Sequence, residues 1–418
     1  MKLLLVANRG KMENNVEGNG MHDTLFFGFL VALISILFFA KIFGEIALKF
    51  GQSAIIGELL AGVIIGPSVL GLIINVNETS VLTSVLKSLS ELGAIILLFE
   101  VGLSTNIKEF LKASGWATAV AIVGVVVPYF LGYFVFLRFG LASQQAIFAG
   151  AVLTATSVGI TARVFMDLNR LETKEAKIVL GAAVIDDVIG LVILTIVLKL
   201  VQGGKVTTGM ITSVSGTAIL FLVLSVSAGV LIAPSLFNLI SKMKQSHTVF
   251  VMGIVFCFIV SALSTKVNLG VIVGAFVAGL ILSTTKQSEK IKRDIKPIYA
   301  FFVPIFFVLM GTRVDTSTFN PFIVANREIL VLMAILFIVA FVGKAISGFV
   351  VFKKGINKLL IGISMVPRGE VGLVFALLGL DNNVFEPKYY SVLVAVIMLT
   401  TFITPIMLKY LMAEQKNS

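Results

Sequence analysis

The sequence predicts an all-α polytopic membrane protein, and three observations carry that prediction. Of its 418 residues, 58% are hydrophobic and only 13% carry charge, whereas a soluble domain has roughly 25% charged residues. The apolar residues fall in continuous runs about 20 long, enough to cross a ~30 Å hydrocarbon core as helices. Basic residues collect in the gaps between those runs. A transmembrane β-barrel would alternate apolar and polar residues in ~10-residue segments, so that architecture is excluded.

Runs of sufficient length lie at 24–48, 54–74, 80–102, 114–138, 142–168, 174–200, 207–241, 247–265, 268–285, 295–313, 328–352, 357–380 and 387–410. Thirteen spans place the termini on opposite sides. The gap after the first span and every alternate one thereafter, with the C-terminal end, hold eighteen Lys and Arg, from Lys49 to Lys416; the other side holds ten. The positive-inside rule then sets the N-terminus outside and the C-terminus cytoplasmic, and accounts for most of the net charge of +11. That charge is spread through short gaps, with no exposed basic face interleaved with aromatics, which argues against a nucleic-acid partner. Residues 1–23 read as a polar tail, because Leu3 to Ala7 is too short for the apolar region of a signal peptide. One cysteine, Cys257, permits no disulfide framework. His22 and His247 read as interfacial residues.

An internal repeat gives the domain organisation. Gly57 to Ile64 in the second span resembles Gly274 to Ile281 in the ninth, and Leu98 to Leu103 at the end of the third resembles Val308 to Arg313 at the end of the tenth. If spans 1–6 (24–200) recur as spans 8–13 (247–410), with 207–241 as a linker helix, the shift of seven helices turns the second copy upside down. Inverted repeats of this kind mark secondary transporters with a midplane site.

Two interruptions occupy matching places in the halves. Span 5 is broken by Thr154-Ala155-Thr156-Ser157-Val158-Gly159, and span 12 by Ser364-Met365-Val366-Pro367-Arg368-Gly369-Glu370. Pro367 donates no backbone bond and pushes its predecessor away from helix, while Thr and Ser hydroxyls can bond the backbone groups that a break frees. Discontinuous helices at equivalent positions point to a binding site.

The chemistry lies in span 6, where Asp186 and Asp187 are adjacent. They sit about 12 residues from the cytoplasmic end, ~18 Å along a helix. A charge at that depth costs at least ~2.5–3.5 kcal/mol on insertion scales, so it needs a partner or water. Lys344 in span 11 lies at comparable depth and supplies one counter-charge. One lysine cannot neutralise two aspartates, and the second asks for a cation or a proton. Neighbours on a helix point about 100° apart, so one carboxylate can face Lys344 while the other faces a cavity at the break. A carboxylate that binds either H+ or Na+, never both, is a sufficient exchange device.

The strings Thr154 to Arg163 and Gly181 to Asp187 resemble the bacterial monovalent cation:proton antiporter-2 family, the sodium/proton antiporters of NapA and GerN type. The resemblance covers about 24–410. It implies the NhaA-like antiporter fold: crossed discontinuous helices, a core bundle (114–200 plus 328–410), and a dimerisation panel (24–103 plus 247–313) in a homodimer of the cell (inner) membrane. It further implies elevator-type exchange of Na+ (or Li+) for H+ in pH homeostasis, with no cofactor and no enzymatic activity. By position, Asp187 would be the ion- and proton-binding carboxylate and Asp186 the partner of Lys344, with Thr156 and Ser157 lining the site. Asp187, Asp186 and Thr156 would be the Na+ ligands, and the Asp-Asp pair with a lysine implies electrogenic exchange.

Arg163, Arg368 and Glu370 flank the breaks and read as a supporting structural group. Glu58, Glu91 and Glu100 fall in panel spans, where interface hydrogen bonding is the expected role. The basic cluster Lys286 to Lys296 reads as an interfacial amphipathic segment, with a pH signal or anionic lipid as the alternative. Rival functions are a K+/H+ antiporter or K+ efflux protein of the same superfamily, a sodium-coupled organic-anion symporter, and an intramembrane aspartyl protease. Eight residues after Tyr410 leave no room for a nucleotide-binding domain, a symporter needs no buried Asp-Asp-Lys trio, and a protease needs aspartates on separate helices.

Overall fold

A computed structural model describes residues 18–50, 52–73, 81–201, 207–267, 269–313 and 327–414. Residues 1–17 of the expected polar tail lie outside them. All regular structure among the described residues is helical. In chain order the helices are α1 (Gly18–Lys49), α2 (Ala54–Ile65), α3 (Val81–Leu103), α4 (Ile107–Arg138), α5 (Ser143–Thr154), α6 (Val158–Asp167), α7 (Lys174–Val201) and α8 (Thr208–Ile240). There follow α9 (Thr248–Lys266), α10 (Val271–Leu282), α11 (Ser288–Gly311), α12 (Arg327–Ala345) with a 3₁₀ turn over Ile346–Val350, α13 (Lys358–Ser364), α14 (Glu370–Asp381) and α15 (Pro387–Glu414). Among the described residues, nine stretches, with α5 and α6 counted as one, are long and apolar enough to cross a membrane, and three shorter apolar helices accompany them. The protein is a multi-pass membrane protein.

Two compact units form, residues 1–94 with 300–320 and residues 95–299 with 321–418. In the first, α2 starts where the Ser53 side chain caps the Ile55 N–H and stops at Gly66, whose N–H donates to the Gly62 carbonyl. Gly66 is followed by Pro67, so the helix is 12 residues long, shorter than the run 54–74 suggested by hydropathy. Ile36 and Ala40 of α1 pack with Ala61 and Ile65 of α2 and with Ile305 and Val308 of α11. At Gly62 the approach is so close that an added Cβ would collide with the Val308 carbonyl and crowd Gly311.

In the second unit the same kind of contact recurs with the partners exchanged. A Cβ on Gly279 of α10 would collide with the Phe99 carbonyl of α3 and crowd Gly102. The helices α4, α5, α7 and α12 pack together, with α14 on α5 and α15 on α12. Burial separates the helices sharply: 94% of the most apolar window of the α5–α6 stretch is buried, against 6% for α8. A run of apolar residues therefore means a helix that leaves most of its surface uncovered in α8 and the interior of the unit in α5–α6.

Candidate ion-binding site

The two interruptions meet inside the second unit. Residues 155–157 separate α5 from α6, and 365–369 separate α13 from α14. Each break frees backbone groups that lipid cannot satisfy, and the other break satisfies them. The Ser157 N–H donates to the Pro367 carbonyl (2.8 Å), and the Thr161 hydroxyl donates to the Ser364 carbonyl (2.7 Å). The Thr156 hydroxyl is within reach of the Met365 carbonyl (3.4 Å) and of the Asp186 carboxylate.

Arg368 closes the junction. Its guanidinium is fully buried and donates to the carbonyls of Leu153 (2.9 Å), Val366 (2.9 Å) and Ala340 (2.9 Å). Leu153 lies in the last turn of α5, where the helix dipole presents negative charge. The carbonyl of Arg368 accepts from the Thr401 hydroxyl of α15. One side chain thus ties α5, α12 and the second break together, a role that residue order alone could not reveal. Arg163 has different partners: Asp167 (2.8 Å) and the Tyr299 ring, 5.1 Å from the guanidinium carbon to the ring centroid. The supporting trio expected from sequence is therefore divided between two places, and the Glu370 side chain lies outside the described residues.

Beside the junction, Lys344 Nζ of α12 stands 3.2 and 3.3 Å from the two carboxylate oxygens of Asp186 on α7. Lys344 is 0% exposed and Asp186 2%. Gly124 of α4 lies beside the ammonium, and an added Cβ there would make an ordinary contact, 3.7 Å from Nζ. Asp187, the next residue on α7, is only half-buried and acts electrostatically on Lys344. Ser157 is buried at the first turn of α6, and among the described residues its hydroxyl has no hydrogen-bond partner. The arrangement thus offers one carboxylate held by a lysine, a neighbouring carboxylate in a less buried setting, and an open hydroxyl at the junction of two broken helices. Oxygen donors of this kind suit a hard monovalent cation, and a carboxylate among them also suits a proton.

Apolar helices around a junction of two interrupted ones, with a carboxylate–ammonium pair beside it, define a membrane protein of the secondary-transporter type. The chain belongs to the sodium/hydrogen exchanger family, whose transmembrane model matches residues 25–414. It is 39% identical over 407 residues to the high-affinity Na+/H+ antiporter NhaS3 of Synechocystis, covering 90% of this chain and 88% of that one. It is 34% identical to the Na+/H+ antiporter of Enterococcus hirae (91% and 97% covered) and 32% identical to the Na+/H+-K+ antiporter GerN of Bacillus cereus (92% and 96% covered). Among solved structures, the sodium proton antiporter MjNhaP1 of Methanocaldococcus jannaschii superposes with a TM-score of 0.65 at 16% identity, covering 92% of this chain and 99% of that one. That likeness concerns the fold.

Proposed function

We propose that the protein exchanges Na+ (or Li+) for H+ across the cell membrane, with Asp187 as the shared binding carboxylate. The observation that carries this reading is the unequal pair on α7. Asp186 is buried against Lys344, and Asp187 lies one residue on in a half-buried setting. Ionised Asp187 takes a cation with help from oxygens at the junction, Thr156 and Ser157 among them; protonated Asp187 has no charge with which to hold it. Competition for one carboxylate couples the two flows, and alternating exposure of the site to the two sides makes the coupling productive. The antiporter names of the curated relatives support the same substrates.

The finer reading is a protein of thirteen spans, N-terminus outside and C-terminus cytoplasmic, built of two inverted repeats and working as a homodimer in pH homeostasis. The exchanged partners of the two glycine contacts, Gly62 with Gly311 and Gly279 with Gly102, support the repeat. A core (114–200 plus 328–410) moving against a panel (24–103 plus 247–313) is the elevator consistent with that symmetry. Lys344 adds a second site able to exchange a proton, which supports electrogenic stoichiometry. Potassium is the second cation to consider, because GerN carries it in its name.

The test is transport in proteoliposomes with an imposed pH gradient. Wild-type protein is expected to give Na+- or Li+-dependent dequenching of a pH dye that responds to a valinomycin-clamped potential. Asp187→Asn is expected to abolish the signal, and persistent exchange in that variant would sink the assignment. A series of Li+, Na+, K+ and Rb+ in the same assay assigns selectivity.

A further inference from the structure

A second group of ionisable side chains lies away from the Asp186–Lys344 pair, where α3, α6 and α11 come together. Glu100 occupies the last turn of α3, and one of its carboxylate oxygens, Oε2, is buried with no hydrogen-bond partner among the described residues. The charges acting on it are Arg163 of α6, then Lys296 and Lys292 of α11. Arg163 is 8% exposed, bonded to Asp167 and laid over Tyr299. The helix α10, packed on α3 through Gly279 and Gly102, carries no ionisable residue. A buried carboxylate oxygen left without a donor is costly, and protonation lowers that cost. Nothing in the exchange chemistry above uses Glu100.

A polar cavity of about 560 Å³ opens beside this group. Its lining includes Ser104 and Thr105 beyond α3, Glu172 between α6 and α7, and Glu289 and Lys292 of α11. The Ser104 N–H donates to the Glu100 carbonyl, and Lys292 both lines the cavity and acts on the Glu100 carboxylate. A polar space of this size holds water readily. Neither Asp186 nor Asp187 lines this cavity, so a proton route from it to Glu100 would be separate from the candidate ion site.

We propose that Glu100 is a second proton-binding carboxylate, filled from this cavity, and that its charge sets how firmly Arg163 holds α6 against α3 and α11. The inference deepens the exchange reading and rests on it for its functional consequence, because Ser157 stands at the N-cap of α6, which bounds the candidate site. Charged Glu100 attracts Arg163 and restrains α6; protonated Glu100 loses that attraction and releases it. By linkage, withdrawal of Arg163 in turn favours proton uptake. Alkaline conditions on the cavity side therefore restrain the movement of α6, and acid conditions free it.

Infrared difference spectroscopy on the purified full chain tests proton binding without any need for transport. The wild-type spectrum minus that of Glu100→Gln is expected to contain a carboxylic-acid carbonyl band that disappears as pH rises. In proteoliposomes, Glu100→Gln is expected to retain exchange and to extend the alkaline limb of the pH profile by about one unit, the order of a single lost ionic contact. A flat difference spectrum, or a pH profile superimposable on that of the wild type, overturns the proposal. Should Glu100→Gln fail to fold, Arg163→Gln asks the same question: removing the chief counter-charge should carry the Glu100 band to higher pH, and an unmoved band overturns the proposal. Absence of Na+-dependent proton flux in the wild type would instead count against the exchange reading, and the infrared result stands apart from it.

Discussion

Arg368 shows how much of a membrane site can depend on one side chain bonded to backbone carbonyls. Carbonyls freed by a helix break cannot turn to water inside a bilayer, and this guanidinium gathers those of Leu153 and Val366 and anchors both to the Ala340 carbonyl within α12. Arg368→Met removes the donor from the Leu153 and Val366 carbonyls, at about 1–3 kcal/mol for each lost partner. Arg368→Lys recovers part of that, because a compact ammonium cannot span the positions a planar fork reaches. The expected order of thermal stability in detergent is wild type, then Lys, then Met. The single cysteine, Cys257, is buried, so the fluorescence of a thiol-reactive dye on heating reports the order. Equal stability of the three proteins would show that the junction does not depend on this residue.

The Asp186–Lys344 pair was legible at the same scale, because two ionisable residues at one depth in apolar spans need each other. Arg368 was legible only as a residue flanking a break. Its partners are backbone oxygens, which carry no sequence signature, and Ala340 belongs to a different helix. Glu100 read from sequence as an interface residue, and the charges that act on it were not legible, because Arg163, Lys296 and Lys292 belong to other helices.

At the scale of elements, hydropathy located the apolar runs but not where helices stop within them. The run 268–285 contains a helix of 12 residues, Val271–Leu282, and the run 54–74 ends its helix before Pro67. The dipeptide Gly66-Pro67 was the available signal, since glycine closes helices and proline cannot continue them. Both interruptions were legible for similar reasons: Pro367 in one and the Thr-Ser string in the other. Their mutual hydrogen bonding was not, because residues some 200 positions apart share no local signal. The glycine contacts give the prediction that belongs here. Gly279→Ala forces α10 away from the Phe99 carbonyl, an overpacking that costs about 1–3 kcal/mol. Gly216→Ala in α8 meets nothing within 4 Å and, by helix propensity, should be neutral or stabilising by up to about 1 kcal/mol. Thermal unfolding of the two variants side by side checks the contrast. An unaffected Gly279→Ala would mean that α3 and α10 do not approach as closely as they do here.

At the scale of the whole molecule, the uneven placement of basic residues turns into a statement about sidedness. Lys286, Lys290, Lys292, Arg293 and Lys296 crowd the turn between α10 and the start of α11, and the positive-inside rule assigns that turn to the cytoplasm. In a Cys257→Ser background, a cysteine placed at exposed Lys290 should react with a membrane-impermeant maleimide in inverted vesicles. In right-side-out vesicles it should be protected. The reverse pattern would invert the orientation of the entire chain, and with it the side from which the cavity near Glu100 is filled. Composition made the multi-pass character legible at once, since so few charges over such a length leave lipid as the only suitable solvent. It could not show how the long apolar helices share their surfaces: α8 and the α5–α6 stretch both qualify as apolar spans and have opposite burial.

The mutual hydrogen bonding of the two breaks also bears on how the protein is made. Residues 153–157 leave the ribosome some 210 residues before residues 364–368, whose backbone they need. Synthesis at about 5–20 residues per second makes that interval at least ten seconds. Throughout it, a half-built junction sits in or beside the bilayer with its carbonyls unanswered, and for the 158 residues that separate the pair Asp186 is without its lysine. The nascent first half must therefore be sheltered, held by insertion machinery or kept near the interface, until α12 and α13 arrive. Quality control in the membrane would meet this protein first as an incomplete polar site.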